Sequence, residues 1–133
     1  MTHHVLLDTN LIIAPPSAGF AGLGDEMAIS TITVAELEYG VTTAADPLDA
    51  HQRSRRLHAA VTTMRVLPFG RETARTYGVL AAMVLAAGRN PRPRRLDLQI
   101  AATAVEYGWD LATRNPDDFR HLERALTVIP VKD

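Results

Sequence analysis

The chain contains no cysteine, only one lysine and no long apolar run. Without cysteine there is no disulfide framework, no thiolate-bound zinc and no cysteine nucleophile, which excludes disulfide-rich secreted domains and zinc fingers. No segment approaches the roughly 18 apolar residues that span a bilayer. The first residues also lack a basic segment followed by a long apolar stretch. We therefore expect a cytoplasmic protein with no membrane partner.

The net charge is close to zero, because 14 basic residues stand against 15 acidic ones. The protein therefore has no overall field that attracts nucleic acid, and a polyanion must be bound by a local group of side chains. Nearly all of the basic residues are arginine, whose planar guanidinium suits phosphate. A GC-rich genome produces the same bias, so the positions of the arginines are more informative than their number.

At 133 residues and 47% hydrophobic composition, the chain fits a single domain over residues 1–133. A domain of this size buries about two thirds of its unfolded surface. Apolar runs predict strands at 4–7, 27–32, 66–69, 110–113 and 128–131, and helical periodicity predicts helices at 33–40, 48–64, 72–87, 97–108 and 117–126. This alternation indicates an α/β fold with a mainly parallel sheet covered on both faces.

Polar residues follow several of these predicted strands. Asp8 ends the first strand, Glu36 lies in the helix after the second, and Asp97 opens a later helix. Asn115, Asp117 and Asp118 follow the strand at 110–113. In a wound α/β sheet, the carboxyl ends of the strands share one edge, where ligands bind. We therefore expect these side chains to converge.

Helix capping is an alternative explanation for each of the three separate acids. Asp8 and Asp97 stand where a helix N-cap is expected, and residues 33–36 read as a capping box in which Glu36 reaches back to Thr33. Such a role stabilises a helix by about 0.5–2 kcal/mol and needs no ligand. Asp8 most favours a functional role, because a charge at the end of an apolar strand is costly unless a positive group meets it.

A group of three or four carboxylates repels itself, and either protonation or a divalent cation relieves the repulsion. No histidine pair at ligand spacing accompanies the acids. Ligation by oxygen alone favours Mg²⁺ or Mn²⁺ over zinc, and phosphate is the substrate class that such sites serve. The hydroxyl and amide side chains nearby are expected to hydrogen-bond the carboxylates. These are Thr9, Asn10, Ser30 and Thr113.

Four segments carry a family resemblance: residues 6–10 (LLDTN), 30–40 (STITVAELEYG), 97–104 (DLQIAATA) and 112–119 (ATRNPDDF). In this order and at this spacing they resemble the four motifs of the PIN-domain ribonucleases, and the VapC toxins of bacterial toxin–antitoxin pairs most of all. The resemblance spans nearly the whole chain. One such segment alone is weak, whereas four in order are specific.

The resemblance implies a three-layer α/β/α sandwich, dependence on Mg²⁺ or Mn²⁺, and endonucleolytic cleavage of RNA. It also implies a homodimer, a VapB-like antitoxin that inhibits the enzyme, and a hetero-oligomer of the two. Carried over onto this sequence, Asp8 and Asp97 resemble the principal metal ligands and Glu36 the third acid. Asp118 matches a supporting acid with Asp117 as an alternative. Asn115 stands where some members have an acid, and we predict that it is a polar organiser of the ion or its water.

Arginines cluster just before Asp97, in a loop that holds Pro91 and Pro93. The cluster comprises Arg89, Arg92, Arg94 and Arg95, and Arg114 lies beside the last motif. We predict that Arg94, Arg95 and Arg114 bind the RNA substrate at the rim of the crevice. A solvated linker stiffened by proline is the alternative.

Three other functions fit parts of the pattern. A phosphoacceptor receiver domain also has an acidic crevice and Mg²⁺, but it needs a lysine at the end of a late strand, and the only lysine is Lys132. A binding module without activity is disfavoured by the presence of all three principal acids. A processing nuclease without an antitoxin remains open, since only a neighbouring reading frame would distinguish it.

Overall fold

The computed structural model describes every residue from Met1 to Asp133. Its centre is a five-stranded sheet with the order β3-β2-β1-β4-β5, in which every pair of neighbours is parallel. The strands are β1 (His4–Leu7), β2 (Glu26–Ser30), β3 (Arg65–Leu67), β4 (Asp110–Thr113) and β5 (Val128–Pro130). The helices are α1 (Thr9–Ile13), α2 (Thr31–Thr42), α3 (Pro47–Thr63), α4 (Arg71–Ala86) and α5 (Arg95–Tyr107). None of them has both the length and the hydropathy that a bilayer crossing requires.

The alternating side chains of β1 separate two hydrophobic layers. Val5 and Leu7 pack into a core with Leu37 of α2 and Leu57 of α3, and Leu6 points to the opposite core. Helices α4 and α5 cover that second face, where Leu80, Leu98 and Ile100 are fully buried. Because successive strand residues face opposite sides, a central strand buried on both faces needs helices above and below. The three-layer α/β/α sandwich is thus confirmed.

The order of the strands reverses at β1. The chain proceeds from β1 through β2 to β3 on one side, and β4 and β5 then pair on the other side of β1. At such a reversal the connections leave in opposite directions, and a crevice opens at the carboxyl ends of the two central strands. In this fold the crevice lies between the ends of β1 and β4.

Several local predictions are confirmed. Helix α3 starts at Pro47, and its N-cap Asp46 accepts a hydrogen bond from the Asp49 N–H at 2.8 Å. Helix α5 ends at Gly108, which has the left-handed φ of 71° that closes a helix. Strand β3 lies at an edge of the sheet and ends just before Pro68, which has no N–H to donate to a neighbouring strand.

Two predicted segments were wrong. Helix α2 begins at Thr31 and not at Thr33, because Ser30 is its N-cap and accepts a hydrogen bond from the Thr33 N–H at 3.1 Å. The helix predicted at 117–126 is only a short 3₁₀ turn, Pro116–Phe119. Leu122 and Leu126 are buried, but neither lies in a helix. Their spacing in the sequence therefore reflects burial and not helical periodicity.

Candidate active site

Asp8 lies at the reversal point, as the residue that follows β1 and caps α1. Its side chain accepts hydrogen bonds from the Thr9 N–H at 2.8 Å, the Thr113 hydroxyl at 2.8 Å and the Asn10 amide at 3.2 Å. The residue is only 4% exposed. Burial raises the pKa of Asp8, and the bonds from Thr113 and Thr9 partly offset that rise. A buried carboxylate held by three donors is in a fixed position and orientation.

Glu36 projects from α2 toward the same point. Its Oε1 accepts a hydrogen bond from the Thr9 hydroxyl at 2.8 Å, and that hydroxyl also lies 2.9 Å from the hydroxyl of the buried Thr33. Glu36 does not reach back to the start of the helix, so the capping-box interpretation is wrong. Ser30 performs the capping role instead, and its hydroxyl makes no hydrogen bond to a carboxylate.

Asp97 lies in the first turn of α5 and makes no capping hydrogen bond, because the N-cap of this helix is Arg94. The expectation that Asp97 caps the helix is therefore wrong. Burial raises the pKa of Asp97 to about 6, with further contributions from the charges of Asp8 and Asp118. Half-buried Glu36 also has a raised pKa, caused by burial and by the charge of Asp97. The acids thus act on one another through space.

The structure distinguishes among the three residues after β4. Asp118 is partly buried, and its charge acts on both Asp8 and Asp97. Asp117 is exposed one residue earlier. Asn115 is exposed as well, and its backbone N–H donates to the Thr113 hydroxyl at 3.0 Å. We call Asp8, Glu36, Asp97 and Asp118 the acid cluster.

One arginine contacts the acid cluster directly. The Nη1 of Arg94 lies 3.0 Å from Oδ1 of Asp118 and 3.6 Å from Oδ2 of Asp97. The guanidinium therefore lowers the repulsion between the two carboxylates, and it opposes the rise in the pKa of Asp97. Of the three arginines predicted to bind substrate, Arg94 is the one that the structure brings to the acids.

The other two arginines point elsewhere. Arg95 donates to the carbonyl of Arg92 at 3.2 Å. Arg114 donates to the carbonyl of Ala14, at 3.0 Å from Nε and 2.6 Å from Nη2, and also to the backbone oxygen of Asp133. The structure thus does not bring Arg95 or Arg114 to the acids, and their substrate-binding role stays a prediction. Arg114 ties the C-terminus to the end of α1.

A basic cleft of about 250 Å³ adjoins the acid cluster. Two acids, Asp117 and Asp118, belong to its wall together with the basic residues Arg89, Arg94, Arg120 and His121. His121 has a left-handed φ of 76°, an uncommon conformation for a residue other than glycine. Neither Arg120 nor His121 was predicted from the sequence to lie near the site, although Arg120 directly follows the last motif. No local sequence pattern indicates the left-handed backbone conformation of His121.

The donor chemistry of the acid cluster fits a hard divalent cation, since every side-chain oxygen in it belongs to a carboxylate and two of the acids raise the pKa of Asp97. No group of three or more Asp, Glu or His side chains has the geometry of a preformed metal site, however. Each carboxylate of the acid cluster instead forms a hydrogen bond or an ion pair with another side chain of the protein. Asp8, Glu36 and Asp97 are the residues that could hold a cation.

Comparisons with known proteins agree with this geometry. The family model described as "PIN domain" matches residues 5–125. Ribonuclease VapC5 of Mycobacterium tuberculosis is 35% identical, over 92% of this chain and 90% of the relative, and VapC ribonuclease Y4jK of Sinorhizobium fredii is 35% identical over 86% and 89%. The crystal structure of the toxin–antitoxin system VapBC-5 of M. tuberculosis contains a chain that aligns with a TM-score of 0.82 and 32% identity over 98% of both chains.

Proposed function

The chain belongs to the PIN-domain family, and from this premise we propose that it is a Mg²⁺-dependent endoribonuclease and the toxin of a toxin–antitoxin pair. Mn²⁺ is the alternative ion. The observation that carries the proposal is the convergence of the acid cluster at the reversal point of the sheet. Relatives named as ribonucleases, similar over most of this chain, support RNA as the substrate.

In this proposal, Asp8 and Asp97 hold the cation and Glu36 lies at its side. When bound, the cation supplies Lewis-acid activation of water and neutralises charge on the phosphate. Glu36 then accepts a proton from the attacking water, because its raised pKa brings it nearer the working pH of a general base. The water oxygen bonds to phosphorus as the bond to the leaving ribose oxygen breaks.

The residues around the acids fix this arrangement. Thr9 donates to Asp8 through its N–H and to Glu36 through its hydroxyl, so a single residue sets the relative position of two acids. Thr113 and Asn10 fix the other oxygen of Asp8. Such supporting hydrogen bonds orient ligating carboxylates and keep them charged. Asp118 adds negative charge to the cluster, and Asn115 helps to position Thr113.

A receiver domain is disfavoured by the positions of the basic residues. The basic side chain that contacts the acid cluster is Arg94, from the turn before α5. Lys132 follows β5 and is exposed near the C-terminus. We also propose that a VapB-like antitoxin binds and inhibits the enzyme, and that the chain forms a homodimer. The similarity to a chain of a toxin–antitoxin complex supports the first of these.

The test is a cleavage assay on defined tRNA, rRNA and mRNA, with Mg²⁺, with Mn²⁺ and with EDTA. We expect internal cuts that require the ion. Asp97→Asn should remove cleavage, and Arg75→Gln, an exposed change on α4 whose ion pair is with Glu72, is the control. Undiminished cleavage in EDTA, or by Asp97→Asn, would exclude the proposed mechanism.

A further inference from the structure

Arg94 belongs to two neighbouring sites at once. Its Nη1 bridges Asp118 and Asp97, and the same residue lines the basic cleft. The side chain is 55% exposed, against 21% for Asp118 and 28% for Asp97. An ion pair with so much solvent access is weak and exchanges readily. The guanidinium is thus able to leave the acids without unfolding any element.

Two of the arginines in the basic cleft have no ion-pair partner. Arg89 and Arg120 line it, and neither forms an ion pair with an acid. The only side-chain hydrogen bond of Arg120 goes to the carbonyl of Asp117, at 3.3 Å. Guanidinium groups of this kind suit the oxygens of phosphate. If Arg94 turned away from the acids, the cleft would present a third such group.

Arg94 and a divalent cation would compete for the carboxylate of Asp97. Both neutralise Asp97, and two positive groups at one carboxylate repel each other.

We propose that Arg94 is an internal counter-ion that couples cation binding to RNA binding. Before the cation binds, the guanidinium neutralises Asp97 and Asp118. When a cation held by Asp8 and Asp97 neutralises the acid cluster, the guanidinium moves into the cleft and binds an RNA phosphate beside Arg89 and Arg120. This inference rests on the proposed function. According to it, the protein binds RNA with full affinity only when a cation occupies the acid cluster.

The first experiment measures Mn²⁺ affinity by calorimetry, without RNA. Arg94→Gln should bind Mn²⁺ more tightly than wild type, on the order of fivefold, because a competing charge is removed. Arg89→Gln and Arg120→Gln are matched controls, since they remove the same charge from the same cleft and neither arginine forms an ion pair with the acid cluster. Both should bind Mn²⁺ with the wild-type affinity.

The second experiment counts phosphate contacts from the salt dependence of binding to a short single-stranded RNA. Each contact contributes about 0.7 to the slope of log affinity against log salt. With Ca²⁺ in place of Mg²⁺, and with the RNA shown intact on a gel, each of the three arginine variants should lose one contact. In EDTA, Arg89→Gln and Arg120→Gln should still lose it, whereas Arg94→Gln should keep the wild-type slope.

Two outcomes would overturn the coupling alone: an Mn²⁺ affinity of Arg94→Gln equal to wild type, or a slope that Arg94→Gln lowers equally in EDTA and in Ca²⁺. Failure of the proposed function has a different signature. In that case Asp97→Asn would bind Mn²⁺ as wild type does, or no variant would bind RNA at all, and the coupling would fall with it.

Discussion

The hydroxyl of Thr113 donates a hydrogen bond to Oδ2 of Asp8 at 2.8 Å and so joins the end of β4 to the residue after β1. Both residues are buried. Burial raises the pKa of Asp8, and the hydrogen bond from Thr113 is the largest influence that lowers it. Thr113 therefore helps to keep Asp8 charged at the point where the sheet reverses.

Replacing Thr113 by valine leaves the shape of the side chain nearly unchanged. It removes this donor and also the acceptor of the Asn115 N–H and of the Asn10 amide. We expect the free energy of unfolding at neutral pH to fall by about 1–3 kcal/mol, because a buried charged acceptor loses its partner. The loss should shrink at acid pH, where Asp8 is neutral. Urea unfolding at both pH values measures it. Thr113→Ser keeps the donor, and a loss from serine equal to that from valine would contradict the assignment.

Asp97→Asn should leave the protein folded and more stable at neutral pH. The folded-state pKa of Asp97, about 6, exceeds its ordinary value of 3.8, so the folded state binds more protons between these values. The contribution of this group to stability therefore falls as the pH rises from about 4 to 6. With its partial exposure taken into account, the gain at pH 7 is on the order of 1–2 kcal/mol.

Thermal unfolding of wild type and Asp97→Asn across pH 4 to 8 measures this difference. The two proteins should be equally stable near pH 4 and should diverge above pH 6. Loss of cleavage with a gain in stability is the signature of a functional carboxylate. A destabilised Asp97→Asn at neutral pH would indicate a structural role instead.

The affinity of the acid cluster for a divalent cation should rise with pH, whereas the contribution of Asp97 to stability falls. Since a ligand must lose its proton to bind the ion, affinity should fall below pH 6, by up to about tenfold per unit from Asp97 alone. Mg²⁺ should raise the melting temperature at pH 7.5 and change it little at pH 5. EDTA should reverse the effect. An equal shift at both pH values would exclude Asp97 as a ligand.

Asp118 and Asp117 are adjacent acids with different surroundings, so they form a matched pair. Asp118→Asn should weaken Mn²⁺ binding and slow RNA cleavage, because Asp118 acts on Asp8 and Asp97. Asp117→Asn changes an exposed side chain and should keep the cleavage rate close to wild type. Rates under single-turnover conditions make the comparison. The opposite ranking would identify Asp117 as the supporting acid.

Arg114 should prove structural. Arg114→Gln loses the hydrogen bonds to Ala14 and Asp133, and we expect a destabilisation on the order of 1 kcal/mol. Its RNA affinity and the salt dependence of that affinity should match wild type. Arg120→Gln gives the reverse pattern, with unchanged stability and weaker RNA binding. A lower salt slope for Arg114→Gln would return Arg114 to the substrate-binding surface.

The convergence of the acids could be predicted because it depends on a general property of wound sheets. Asp8 ends a strand, Asp97 opens a helix, and both therefore belong to one edge of the sheet. The capping roles could not be assigned in the same way. A threonine followed by a glutamate three residues later reads as a capping box, but Glu36 finds its donor in Thr9, 27 residues away in sequence.

The amino-acid sequence by itself determined the alternation of strands and helices, the parallel sheet and the order of the four motifs, because these depend on local periodicity and chain order. Only the tertiary structure decided which partner each polar group takes. Arg94, Arg95 and Arg114 carry the same side chain, yet the first meets two carboxylates and the others meet backbone carbonyls. That difference arises from where the folded backbone directs each side chain, and the distances between segments remote in sequence are set only when the sheet and its helices pack together.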